Sequence, residues 1–227
     1  MALQKKVKWL FTLIVLANLI IVLMVVLGAL GPKPPPPMPN PNGYYDFVKA
    51  GRMLTGDYGN YSNLNEEKLA ALVATNAEAL KLFRIGLGRE SLAPNDYSSH
   101  YMDHLDLQLR SQRALATVLC AEGRLAILQN RTNDAVQSYL DAMNLGQKCS
   151  QGGLMLSKLV GIACESMGRW GLKSFTDGVS SQECRKIAGT LEMLDASEPP
   201  ARDVFDHERD FVRKSYGIGM RMAALLA

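Results

Sequence analysis

The sequence predicts an all-α protein: one N-terminal transmembrane helix, a proline-rich linker, and then stacked helical hairpins. Three observations lead there. Trp9 to Leu30 is an apolar run of 22 residues without one charge. Residues 31–42 hold seven prolines. The remaining chain, residues 43–227, places apolar residues three and four apart and shows no convincing alternating strand. Its richness in Ala, Leu, Met, Glu, Lys and Arg, against only 7% aromatics, also favours helix over strand.

The run from Trp9 to Leu30 suffices, at about 1.5 Å per residue, to cross the ~30 Å hydrocarbon core of a bilayer. Lys5, Lys6 and Lys8 precede it and no acidic residue appears before Asp46. Positively charged flanks stay on the cytoplasmic side. Residues 1–8 are therefore expected as a cytoplasmic basic tail, 9–30 as the span, and 43–227 as the extracytoplasmic, periplasmic domain of a single-pass cell-membrane protein. A cleaved signal peptide is the rival reading, opposed by Leu27 before a cut after Ala29 and by Pro32 after a cut at Gly31. Phe11-Thr-Leu-Ile14 resembles part of the methylation motif of type IV pilins, with Val15 in place of their Glu and Leu10 in place of their Gly. That resemblance implies a pilin-like or other envelope-assembly component. Asn18, near the middle of the run, either bonds across a helix pair or is one tolerated amide.

The linker, 31–42, favours polyproline II, a semi-rigid spacer of about 3.1 Å per residue that would hold the domain roughly 30 Å or more off the bilayer. Its place beside the membrane argues against a ligand for an SH3-like domain. The whole chain carries a net charge of +3. Lys5, Lys6, Lys8 and Lys33 account for this balance and leave the outer domain at about −1, so nucleic acid is not an expected partner.

A first short helix is expected from Tyr44 to Thr55, with Phe47, Val48 and Leu54 as apolar positions. Gly56, Gly59, Asn60 and Asn63 make a loop. One helix then runs to about Gly88, capped by Asn63 or Asn65, with Glu66 and Glu67 in its first turn and Leu69, Leu72, Val73, Leu80 and Phe83 on one stripe. Pro94, Asn95 and Asp96 break the chain, and Ser98 or Ser99 opens a longer helix reaching Gln129.

Ala116 to Cys149 resembles a tetratricopeptide repeat, two antiparallel helices in about 34 residues whose small residues permit close packing. Leu119 and Gly123 hold the aromatic and small positions of the first helix; Ala135, Tyr139 and Ala142 hold those of the second, and Thr132 is its expected cap. Glu122 and Ala126 stand where the pattern has a Leu and a large aromatic, and Gln147 where it has a closing proline. The resemblance implies that the five named residues pack the hairpin, and that the array offers a concave surface to a protein partner. Pro41-Asn-Gly43 and Ala121-Glu-Gly-Arg124 also resemble uncharacterised membrane-anchored bacterial proteins, which implies fold and topology but no activity.

Leu154, Leu156, Leu159, Val160, Ile162, Ala163 and Met167 predict a helix apolar on most faces, hence central. Thr176-Asp-Gly178 turns the chain, and Ser180 to Glu183 form a capping box, with Val179 and Cys184 as its staple, for a helix to about Asp195. Pro199 and Pro200 precede a last helix from Ala201, its apolar stripe being Val204, Phe205, Phe211 and Val212. About seven helices result. The final stretch, Gly219 to Ala227, is expected to expose Met220, Met222, Leu225 and Leu226 to a partner helix, which would allow a homo-oligomer; fold-back and a missing next helix are the alternatives.

Chemistry is sparse. His100 and His104, at i and i+4 with Asp103 between them, have the spacing of a transition-metal pair, and Asp103, Asp106 or His207 would supply the third ligand. His207-Glu208 does not continue as HExxH, because Phe211 takes the second histidine's place. No nucleophile motif or phosphate loop is present. The expected function is a membrane-anchored scaffold for protein–protein interaction rather than an enzyme, with no cofactor; the alternative is a metal-binding protein or enzyme using His100 and His104. Cys120 and Cys164 read as small core residues. A disulfide has three full pairings open to it, with Cys149, near a helix end, as its favoured member.

Overall fold

The computed structural model describes residues 2–29, 37–94, 100–174 and 179–215, without the side chains of 2–7, 24–29, 183, 186 and 213. It divides into two compact units, Met1–Pro35 and Pro36–Ala227. The first holds helix α1, Ala2–Ala29. All side chains described in it, residues 8–23, are exposed. Among the described residues no helix is long and apolar enough to cross a membrane. Asn18 Nδ2 donates to the carbonyl of Ile14 at 2.8 Å, and Thr12 Oγ1 to that of Lys8 at 2.9 Å. Both polar groups are thus satisfied by their own helix.

The second unit is all-helical, with no strand among the described residues: α2 Gly43–Met53, a 3-10 turn Tyr61–Asn63, α3 Glu66–Thr75, α4 Ala77–Leu87, α5 Tyr101–Leu128, α6 Thr132–Ser150, α7 Met155–Lys173, α8 Ser181–Ala196 and α9 Ala201–Ser215. Asn42 fixes the entry. Its Oδ1 accepts from the backbone N–H of Tyr44 and of Leu92, each at 3.1 Å, while its Nδ2 donates to the Leu92 carbonyl at 2.8 Å. One side chain therefore caps α2 and ties it to a strap 50 residues away.

The one helix expected from a cap at Asn63 or Asn65 to about Gly88 is two, α3 and α4. Asn65 caps the first, accepting from Lys68 N–H at 3.0 Å. At Asn76 the ladder is interrupted because the buried side-chain amide turns to other partners: its Oδ1 accepts from Thr55 N–H at 2.9 Å, and its Nδ2 donates to the Thr55 and Leu72 carbonyls at 3.0 and 2.9 Å. Asn is a poor helix former because its amide competes in this way. The expected openings of α5 at Ser98 or Ser99 and the turn at Thr176-Asp-Gly178 lie outside the described residues; His100 is the N-cap position of α5. Thr132 does not cap α6 but begins it, after a left-handed Asn130 (φ 56°).

Helices α5, α6 and α7 pack mutually and form most of the main core, with α2 and α4 on its other side. Phe47 of α2 and Phe83 of α4 meet there, ring centres 5.7 Å apart. Leu119, Ala135, Tyr139 and Ala142 are all in this core and 3% exposed or less. The Tyr139 ring lies between Gly123 of α5 and Gly171 of α7, where a Cβ would come within 2.8 and 2.1 Å of ring carbons. Small residues on both neighbours thus make room for one large one.

Helix α7 is not apolar-buried all round. Gly161, Cys164, Glu165, Gly168 and Leu172 face inward, but Leu159 and Trp170 are 55% and 69% exposed. The stripe expected on α9 also divides: Val204 and Phe211 are buried, Phe205 is 60% exposed. Phe211 packs on Tyr101 at 5.5 Å between ring centres, and Glu208 accepts the Met155 N–H at 3.0 Å, capping α7 from α9. In the expected capping box the Glu183 side chain lies outside the described residues. So does the stretch from Gly219 to Ala227. Cys120, Cys149 and Cys164 are buried free thiols and Cys184 is an exposed one, so no disulfide joins them.

Candidate functional site

A concave surface follows α6, where α8 rests on the core through the partly buried Ile187, Leu191 and Leu194. Gln147 holds it there. Its Nε2 donates to the Leu194 carbonyl at 2.8 Å, and its Oε1 accepts from Ser197 Oγ at 3.2 Å. Gln147 therefore clasps the C-terminal end of α8, two helices further along the chain. Helix α8 otherwise makes few close contacts, and a cleft opens on each of its flanks.

The first cleft, about 510 Å³, is lined on α6 by Asn133, Gln137, Leu140 and Asn144 and on α8 by Ile187 and Thr190. Positions 133, 137, 140 and 144 recur at helical spacing, so three amides and one apolar side chain share one face. Beside it an ionic network joins the exposed Arg84 to the half-buried Glu122 and the buried Asp141. Arg84 of α4 donates through Nε to Asp141 at 3.1 Å and through an η nitrogen to Glu122 of α5 at 2.5 Å. Ser138 Oγ donates to Glu122 and Gln137 Nε2 to Asp141, both at 2.8 Å. Burial raises the Asp141 carboxyl above its usual range, against the opposing pull of Gln137 and Arg84. Burial likewise works against the Arg84 cation, but Glu122 and Asp141 outweigh it and raise its value. Such a network fixes three helices in one register. This pairing accounts for a carboxylate at Glu122, between the buried Ala121 and Gly123.

The second cleft, about 340 Å³, lies among α6, α7 and α8, with Gln147, Glu165, Arg169, Glu192, Asp195 and Glu198 as its polar lining. Glu165 is 8% exposed, and its Oε1 is buried with no hydrogen-bond partner. Burial, then the nearby Glu198, push its carboxyl up; Lys158 and Arg169 pull it down. Lys158 is itself paired with Glu198 at 2.5 Å.

The histidines are elsewhere. His100 Nδ1 stands 4.0 Å from Asp103, with both side chains more than three-quarters exposed. His104 is exposed on the same helix, and Asp106 pairs with Arg110 at 2.8 Å. His207 lines a third cleft of about 170 Å³ with Leu92, Lys158 and Asp203. Among the described residues no group of three His, Cys, Asp or Glu side chains is placed to hold a metal ion. Burial raises the thiols of Cys120 and Cys164 to about 12, and that of Cys149 well above its ordinary value. A thiol so shifted stays protonated and is a poor nucleophile.

Sequence reasoning missed both clefts and Glu165. The signal for Glu165 was present: a carboxylate directly after Cys164, on a helix face whose other members are Gly161, Gly168 and Leu172. A charge on a buried stripe is the informative exception to the apolar pattern. Compared with known proteins, the chain matches no family model, no curated protein and no solved structure.

Proposed function

We propose that the chain is a membrane-anchored, extracytoplasmic scaffold of tetratricopeptide-like helical hairpins that binds a protein partner along α6 and α8. The anchor rests on the sequence: 22 uncharged residues from Trp9 to Leu30, behind Lys5, Lys6 and Lys8 and ahead of a proline-rich spacer. The observation that carries the binding half is the 510 Å³ cleft, where Asn133 and Asn144 offer side-chain amides to an extended backbone while Leu140 and Ile187 supply apolar contact. Binding here needs no chemistry beyond hydrogen bonds and apolar burial.

The topology is tested with alkaline phosphatase and a fluorescent protein that matures only in the cytoplasm, each fused to the C-terminus. Phosphatase activity with a dark fluorescent fusion is expected; the reverse contradicts the outward domain. For the binding half, full-length protein crosslinked in its native membrane is expected to retain a discrete partner, and Asn144→Trp, which fills the cleft, to lose it at an unchanged melting temperature. Retention of the same partner by Asn144→Trp would move the binding surface elsewhere.

A further inference from the structure

We infer that the second cleft is a socket for a basic side chain, a lysine ammonium or an arginine guanidinium, carried by the same polypeptide that occupies the first cleft. The inference rests on the scaffold reading and adds the chemistry of the partner.

Glu165 supplies the argument. A carboxylate taken out of water needs a partner, and a buried oxygen without one calls for an explanation. Its position is set by packing, since a Cβ on Gly146 would come within 2.7 Å of Glu165 Cγ. The charges around it do not balance. Lys158, outside the lining, is engaged by Glu198, and Arg169 is the one cation among the described lining residues, against Glu165, Glu192 and Asp195. The excess is negative, with its most buried carboxylate unmatched and two exposed ones on α8 around it. Met143, Leu191 and Leu194 line the same cleft. An apolar wall with carboxylates beyond it suits the aliphatic stem and charged head of Lys or Arg. Leu194 lines both clefts, so one extended chain can place a backbone in the first and a side chain in the second. A polypeptide is thereby favoured over a free amine.

The test uses the full chain in lipid nanodiscs to select from a phage-displayed library of random dodecapeptides. Lys or Arg is expected to be enriched at one peptide position. The affinity of a selected peptide should fall about tenfold when that residue becomes Gln, and about tenfold on Glu165→Gln in the protein, with no further loss when both are changed. Glu192→Gln with Asp195→Asn, at exposed positions, should weaken binding a few-fold and flatten its salt dependence. This second variant and the peptide substitution decide the matter even if Glu165→Gln fails to fold. Selected peptides without a basic preference, or bound equally by Glu165→Gln, overturn the socket and leave the scaffold standing. Selection of no peptide at all removes both.

Discussion

A methyl group on Gly161 would stand 2.4 Å from the carbonyl oxygen of Gly146, and one on Gly146 would stand 2.4 Å from that of Gly161. The backbones of α6 and α7 therefore touch, and the cleft beside Glu165 depends on that closeness. Gly161→Ala should destabilise the domain by about 1–3 kcal/mol, because neither backbone can yield without moving its whole helix. Gly189→Ala is the control: no atom lies within 4 Å of its Cβ position, so the change should be neutral or stabilise by up to ~1 kcal/mol. Denaturant melts of the full chain compare the two. Equal effects would mean that α6 and α7 are not in backbone contact.

Tyr139 between Gly123 and Gly171 makes a second packing test. Removing the ring in Tyr139→Ala leaves a cavity on two helix interfaces at once and should cost about 3–5 kcal/mol. Gly171→Ala, which drives a methyl into the ring, should also destabilise. A melt unchanged by either variant would contradict the sandwich.

Asn76 binds both backbone groups of Thr55, so Asn76→Ala strands a donor and an acceptor. The expected cost is about 1–3 kcal/mol. Its local signature is faster hydrogen exchange at the Thr55 amide. Protection there that survives the substitution would show that Asn76 does not hold the loop.

Glu165 makes stability depend on pH. Burial raises its folded-state pKa above the unfolded value of 4.5, so the native state binds more protons over the interval between the two. Stability contributed by the protonated carboxyl is fully present below the unfolded value and declines as pH rises through the folded one. Melting temperatures of wild type and Glu165→Gln should therefore diverge upward from about pH 4.5, with Gln the more stable at neutral pH. A variant less stable than wild type at pH 7, yet equal to it at pH 4, would mean that an ionised Glu165 is stabilised in the native state.

How much of this was legible in the sequence depends on the range of the forces involved. Asn65, Glu66 and Glu67, or Pro200 before Ala201, act within one turn, and the helices they begin lie where local spacing put them. The resemblance of Ala116 to Cys149 to a tetratricopeptide repeat implied a tight hairpin, with Gly123, Ala135 and Ala142 as small residues beside the large Tyr139. Asn76 was different: its partner Thr55 is 21 residues away, and nothing beside it marks a break. Arg84, Glu122 and Asp141 come from three helices, so their meeting is a property of packing. Leu156, Leu159 and Ile162 predicted a buried helix, but covering them requires a neighbour that the chain's apolar pattern does not specify. Glu165 was readable as an exception, though what surrounds it was not.

Photo-crosslinking along α6 and α8 tests the central claim most directly. A diazirine amino acid placed in turn at Asn133, Gln137, Asn144 and Thr190, and at the exposed Lys49 of α2, which lines none of the three clefts, reports which surface a partner covers in the native membrane. A discrete adduct of one mass from the cleft positions, and none from Lys49, is the predicted result. Adducts of that mass from Lys49 with none from the cleft would contradict a scaffold that binds along α6 and α8.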